Sequence, residues 1–134
     1  MGELIDSSVF IAAERGDAPI QVALALKRPY EDSFLSVVTV GELLHGVYRA
    51  KDQVTRNRRE AWVEGILGEI PVLAYDERVA RVLAPLDAQL QASGNKVATA
   101  DLIIAATALT HDYAVLTRDA KSFPKIPGLR HYLI

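Results

Sequence analysis

Four acidic side chains are spaced along the sequence so that a fold could bring them together as metal ligands. They are Asp6, Glu42, Asp101 and Asp119. Carboxylates that meet at one place repel each other unless a cation lies between them. Oxygen ligands suit a hard divalent cation, and Mg²⁺ typically takes one or two carboxylates together with water molecules. The sequence therefore indicates a divalent-cation site, provided that the fold assembles these residues.

Each of these acids, taken alone, has an ordinary explanation. Asp101 and Asp119 are typical of acids at helix N-termini, which the helix dipole favours. Asp6 is typical of a turn after a strand, and Glu42 lies on the polar side of its helix, where water would solvate it. Only the combination favours a metal site, because an unpaired carboxylate at a buried position is costly.

The elements that must position these acids alternate along the chain. Short apolar runs predict strands at residues 4–5, 33–37, 71–75, 114–117 and 130–134. Apolar residues at helical spacing predict helices at residues 9–14, 20–27, from 38 onward, 58–67, 77–92 and 100–109. This alternation predicts an α/β fold, a parallel sheet with helices on both faces. Ligand sites of such sheets lie outside the carboxyl ends of the strands, where Asp6 and Asp119 are expected.

Length and composition limit the classes of protein that remain. The 134 residues, half of them hydrophobic, predict a single domain over residues 1–134. The absence of cysteine excludes disulfides, thiolate metal sites and a cysteine nucleophile. No basic leader precedes an apolar run, and the longest apolar run, 102–109, is too short to span a bilayer, so we expect a cytoplasmic protein without membrane contact. The net charge of −2 argues mildly against a large phosphate-binding surface.

Four segments resemble, in order, the signature blocks of PIN domains, and specifically of VapC-type toxins from VapBC toxin–antitoxin pairs. They read LIDSSVFIA, VVTVGELLHG, ADLIIAATAL and AVLTRDAKSFPKIPGL. One block alone would be weak evidence, whereas four in order at matching spacing are specific. The resemblance implies a three-layer α/β/α sandwich around a parallel sheet of about five strands.

The resemblance also implies a function and a set of site residues. It implies a metal-dependent endoribonuclease in which Asp6, Glu42, Asp101 and Asp119 bind Mg²⁺ or Mn²⁺. The supporting hydroxyls would be those of Ser8 and Thr117. Many VapC-type sequences have Asn at the position of Asp119, which makes its contact with the metal the least secure of the four.

The same resemblance implies partners. A cognate VapB-type antitoxin would block the acidic pocket, with an Arg guanidinium suited to pairing with carboxylates. A homodimer is also expected. The RNA that is cut is not indicated by the sequence.

A basic cluster follows the helix that holds Glu42. It consists of Arg49, Lys51, Arg56, Arg58 and Arg59. It is either a solvated surface between two helices or an edge that follows RNA phosphates. On the second interpretation Arg56, Arg58 and Arg59 would bind RNA. Trp62 lies just beyond the cluster and is expected in the core or an interface.

Three rival functions fit the predicted fold less well. A phosphoacceptor receiver domain needs adjacent acids after the first strand, whereas serines follow Asp6. A haloacid-dehalogenase-type phosphatase needs a second acid at position 8, which is Ser8. A catalytically inactive PIN-like interaction module remains open, although the presence of all four acids argues against it.

Overall fold

A parallel five-stranded sheet runs through the middle of the computed structural model, which describes residues 2–134. The strands are β1 (Glu3–Ile5), β2 (Ser33–Ser36), β3 (Val72–Leu73), β4 (Ala114–Thr117) and β5 (His131–Leu133). Their order across the sheet is β3-β2-β1-β4-β5, and each neighbouring pair is parallel. The first strand of the chain therefore lies at the centre, next to a strand that comes more than a hundred residues later.

Helices cover both faces of this sheet. They are α1 (Ser7–Glu14), α2 (Ala18–Leu26), α3 (Val37–Tyr48), α4 (Gln53–Glu69), α5 (Glu77–Ala92) and α6 (Thr99–His111). A short 3₁₀ turn spans Phe123–Lys125. No helix within residues 2–134 is long and apolar enough to cross a membrane.

Two apolar cores hold the helices against the sheet, one on each face. Adjacent residues of β1 separate them, because side chains alternate between the faces of a strand. Ile5 belongs to the core under α1–α4, and Leu4 belongs to the core under α5 and α6; both are fully buried. The helices thus form an α1–α4 layer and an α5–α6 layer, which confirms the three-layer α/β/α architecture.

Most helix starts follow local chemistry that is visible in the sequence. The first turns of α2, α3, α4 and α5 each donate a backbone N–H to a capping side chain, from Asp17, Ser36, Asp52 and Asp76 respectively. The helices that bear Asp6 and Asp101 at their starts, α1 and α6, have no such side-chain cap. The carboxylate of Asp6 is therefore not used to cap its helix.

The predicted boundaries of α5 and β4 agree with the structure, most others differ by one or two residues at an end, and two elements differ more. The helix predicted over residues 58–67 begins earlier, at Gln53, because the Asp52 carboxylate accepts the Thr55 N–H at 2.7 Å and starts it there. The strand predicted over 71–75 is only two residues long, at the edge of the sheet where one side has no partner. Neither difference moves a candidate site residue.

Candidate metal centre

The carboxyl edge of the sheet brings together chain segments that are far apart in sequence. β1 and β4 are neighbours, with Ile5 opposite Leu116. Asp6 directly follows β1, and Asp119 lies two residues beyond the end of β4. Asp101 is in the first turn of α6, and Glu42 is in the middle of α3. Two of the four acids thus follow strands, and two lie on helices that pack near the same edge.

Asp6 is the most firmly held of the four acids. It is 4 % exposed, and its Oδ2 accepts hydrogen bonds from Ser8 Oγ at 2.7 Å and Thr117 Oγ1 at 2.8 Å. Both hydroxyls also accept a backbone N–H, from Arg118 at 3.1 Å and Asp119 at 2.9 Å respectively. Because a hydroxyl has a single hydrogen to donate, each one is directed toward Asp6. The supporting pair expected from the resemblance, Ser8 and Thr117, therefore fixes the orientation of this carboxylate.

Asp119 forms a local turn as well as facing the site. Its Oδ1 accepts the backbone N–H of Lys121 at 2.7 Å and of Ser122 at 3.1 Å. Burial acts to raise the pKa of Asp119, but these two hydrogen bonds, together with the Ser122 hydroxyl and the charge of Lys121, outweigh it, and the pKa lies below its ordinary value. The ordinary explanation of this acid, as a turn residue, is thus correct for one of its oxygens.

The pKa values of Glu42 and Asp101 are shifted in the opposite direction, upward. Burial is the largest cause that raises the pKa of Glu42, and the charges of Asp6 and Asp101 raise it further. Burial likewise raises the pKa of Asp101, with added repulsion from Asp6 and Asp119. Although Glu42 retains exposed surface, the site removes part of its hydration. Asp6 is therefore close enough to repel both Glu42 and Asp101, and Asp101 also lies close enough to Glu42 and Asp119 for repulsion.

Two further serines contact the acids and were not singled out for this role in the sequence. Ser7 is 6 % exposed, and its Oγ donates to Glu42 Oε1 at 3.1 Å. The Ser122 hydroxyl is hydrogen-bonded to Asp101, which lowers the pKa of that carboxyl and partly opposes the burial. The role of Ser7 was not predicted, since a contact between residues 35 positions apart leaves no local signal.

The donor set fits a hydrated divalent cation better than a cage built by the protein alone. Within residues 2–134, no three of the His, Asp and Glu side chains converge as a ready-made ligand set. All four candidates nevertheless offer oxygen, and two of them carry a raised pKa that a bound cation would relieve. Mg²⁺ retains several water molecules and needs few carboxylates, so it suits this open arrangement.

The arginines proposed to bind RNA contact the protein itself to different degrees. Arg59 Nε donates to Glu14 Oε1 at 3.3 Å, and its Nη1 donates to the Gly46 carbonyl at 3.1 Å. Arg56 Nη2 donates to the Tyr48 carbonyl at 3.3 Å. Arg58 is exposed. Arg59 therefore ties together α1, α3 and α4, and an RNA role for these three residues stays a prediction.

Two concave surfaces lie on the α1–α4 layer. We call the first, of about 430 Å³ between α1, α3 and α4, the basic cleft; Glu42 is part of its wall. We call the second, of about 510 Å³ between α1, α2 and α4, the apolar groove. Trp62 lines both and packs edge-on against Phe10 at 6.2 Å between ring centroids. Its predicted place in a core or interface agrees with this position.

Comparison with known proteins agrees with this fold. Residues 4–129 match the PIN domain family. The chain is 31 % identical over 129 residues to Ribonuclease VapC of Rickettsia bellii, which covers 96 % of this chain and 93 % of that protein. It is 32 % identical over 96 residues to the tRNA(fMet)-specific endonuclease VapC of Salmonella typhimurium, covering 72 % and 70 %. The chain therefore belongs to the PIN-domain family.

A solved structure indicates which group of PIN-domain proteins the chain resembles. The chain superposes with a TM-score of 0.74 and 29 % identity on a structure of VapBC-5 from Mycobacterium tuberculosis, described as a member of the VapBC family of toxin–antitoxin systems. The superposition covers 99 % of this chain and 97 % of that one. Within the PIN-domain family, the chain is a VapC-type ribonuclease, and ribonucleases of this family generally depend on a divalent metal ion.

Proposed function

We propose that this VapC-type ribonuclease is a single-domain endoribonuclease that uses Mg²⁺ or Mn²⁺ and acts in the cytoplasm as the toxin of a toxin–antitoxin pair. The observation that supports this most directly is the Asp6 carboxylate, which is buried, oriented by two hydroxyls and close enough to Glu42 and Asp101 to repel them. A carboxylate held in this way is pre-organised for a cation.

The four acids would have different roles around that cation. Asp6 and Asp101 are the primary anchors, since Asp6 is fixed by hydrogen bonds and Asp101 is on a buried helix. Glu42 and Asp119 complete the ligand set, directly or through water. A bound divalent cation would lower the pKa of a coordinated water and neutralise charge that develops on the phosphate oxygens. Ser8 and Thr117 hold Asp6, and Ser7 holds Glu42.

Asparagine substitutions test this site, because they remove the charge while keeping the shape of the side chain. Asp6→Asn and Asp101→Asn should each abolish Mn²⁺-dependent RNA cleavage while the protein remains folded by circular dichroism. Glu77→Gln, which removes an exposed charge on α5, is the matched control and should cleave like the wild type. Cleavage by both purified Asn variants would refute the assignment. A wild type that cuts no RNA with either metal would favour an inactive interaction module.

An antitoxin is the proposed partner of the same region. The acids would attract a guanidinium group, and the apolar groove offers Ala25, Ala61 and Ile66 to an amphipathic helix. We also propose that the chain forms a homodimer, as the resemblance to VapC-type toxins implies. Expression of the wild type alone should arrest growth, the neighbouring antitoxin gene should rescue it, and Asp6→Asn should be harmless. A wild type that does not arrest growth in its own host and purifies with no partner would refute the toxin role.

A further inference from the structure

The basic cleft opens directly beside the proposed metal site. Glu42 forms part of its wall, and His45 and Arg49 follow on the same side of α3 at intervals of three and four residues. Arg49 lies seven residues beyond Glu42, about 10 Å farther along the helix axis. A ligand that reaches the acids could therefore continue along α3 into the cleft.

The charged residues of the basic cleft divide into groups that have partners and groups that do not. Glu14 pairs with Arg59, and Asp52 accepts both the Thr55 N–H and the Thr55 hydroxyl. Arg15, Arg49 and Lys51 also line the cleft and are exposed. Within residues 2–134, the structure shows no ion pair or side-chain hydrogen bond for these three cations. Asp52 keeps its negative charge, but the three cations outnumber it, so the net charge that this part of the cleft presents to a ligand is positive, in contrast to the acids at its end.

The floor of the basic cleft is apolar. Leu43 and Val63 are buried beneath it, and Ile11 and Trp62 line it with part of their surface exposed. Proteins that bind single-stranded nucleic acid combine cations for the backbone with an aromatic or apolar surface for the bases. The cleft has both parts within about 430 Å³.

We propose that the basic cleft is an RNA subsite for a nucleotide next to the phosphodiester that is cut. Arg15, Arg49 and Lys51 bind its phosphates, and its base lies on the apolar floor beside Trp62. This inference rests on the proposed ribonuclease site, which it extends by a substrate-binding surface. Because the cations bind phosphate and any base offers a flat face, the subsite tolerates different sequences.

Charge decides between RNA and an antitoxin segment as the occupant of the cleft. A segment that blocks the acids must present cations to them. The three cations of the cleft would repel such a segment, whereas they attract a polyanion. The apolar groove, on the other side of Trp62, is the better surface for a protein partner.

Binding of a short fluorescein-labelled poly(U) RNA at rising salt concentration tests the subsite. The measurement uses the Asp101→Asn background with EDTA, so that no RNA is cut. The double variant Arg15→Gln/Arg49→Gln should weaken binding by on the order of tenfold per charge at low salt. The slope of log affinity against log salt should become shallower by about 1.4, since each phosphate contact with a single strand contributes about 0.7.

The matched control removes two arginines of the α5–α6 layer, each of which already has an acidic partner. Arg78 and Arg81 are exposed on α5 and pair with Asp76 and Glu77. Arg78→Gln/Arg81→Gln should leave both the affinity and the salt slope unchanged. Trp62 is the only tryptophan in the sequence, so its fluorescence reports on the two surfaces that it lines, the basic cleft and the apolar groove. Poly(U) should quench it in the control and much less in the cleft variant.

Two results would overturn the subsite. An unchanged salt slope in Arg15→Gln/Arg49→Gln would mean that RNA binds elsewhere. Quenching of Trp62 by an arginine-rich peptide but not by poly(U) would mean that a peptide, and not RNA, binds beside Trp62. Because none of these measurements needs cleavage, a wild type without ribonuclease activity would refute the proposed function and leave the test of the cleft intact.

Discussion

The two helical layers of this protein differ in how much of their surface is left open. In the α5–α6 layer, α6 is buried along most of its length, including Leu102 and Ile104. The α1–α4 layer contains both the basic cleft and the apolar groove. The proposed metal site lies where the layers meet, with Asp101 from one layer and Glu42 from the other. The α5–α6 layer thus contributes a buried helix, and the α1–α4 layer provides surfaces for ligands.

Matched isoleucine truncations should show this difference most strongly. Ile104→Ala in α6 should lower the free energy of unfolding by about 2–5 kcal/mol, because it leaves a cavity in a closed core. Ile66→Ala in α4 should cost only roughly 1–2 kcal/mol, because that side chain borders the open apolar groove and leaves little enclosed space. Urea denaturation of both variants measures the difference. Equal losses would mean that the two layers are equally closed.

A divalent cation should stabilise the junction between the layers. Mn²⁺ should raise the melting temperature, because binding to the folded state alone contributes roughly 2.7 kcal/mol at a hundredfold excess over Kd. Asp101→Asn should remove most of this increment, whereas Glu77→Gln should retain it. An equal shift in wild type and Asp101→Asn would place the ion elsewhere.

The direction of the pH dependence follows from the two raised pKa values. The folded protein holds protons on Glu42 and Asp101 more tightly than the unfolded chain does. Without metal, their contribution to stability is fully present below the ordinary carboxyl pKa and is lost as the pH rises through the raised pKa values. Asp119, with a lowered pKa, contributes in the opposite sense. The rise in melting temperature that Mn²⁺ causes should therefore become larger as the pH rises through the raised pKa values of Glu42 and Asp101. Melting curves with and without Mn²⁺ at several pH values measure this change.

The smallest expected effect concerns the binding of a protein partner to the α1–α4 layer. Ala61 is exposed and lines the apolar groove. Ala61→Glu should weaken antitoxin binding by about ten- to a hundredfold, since it places a charge among groups that binding would desolvate. Ala88→Glu, at an exposed position of α5, is the control and should bind normally in the same titration. Normal binding by both variants would exclude the groove as the antitoxin surface.

Elements that depend on local chemistry were predicted from the sequence. The bounds of α5 were predicted fully, because an apolar stripe lies between the Asp76 cap and Gly94. The start of α4 was missed, because residues 53–59 are polar except for Val54 and give no apolar period to detect. The two-residue strand β3 was overestimated, since its length depends on pairing with β2 rather than on its own residues.

The candidate site was predictable to a different degree for each residue. Asp6 and Asp119 follow strands, so topology alone points to them. Glu42 came from the family resemblance, because helical periodicity gives only a solvated acid. Ser7 could not have been predicted as the partner of Glu42, since that contact depends on how α1 packs beside α3. Tertiary contacts between helices leave no trace in local sequence.

The position of β1 at the centre of the sheet has a consequence for synthesis on the ribosome. Thr117, which fixes Asp6, is 111 residues away in sequence. A nascent chain therefore carries Asp6 long before β4 exists to pair with β1 and orient that carboxylate. Pairings so distant in sequence form late in folding, because the entropy of closing the intervening chain must first be overcome. Translation thus delays the assembly of the proposed site, because most of the chain must be synthesised before the Asp6 carboxylate can be held for nuclease activity.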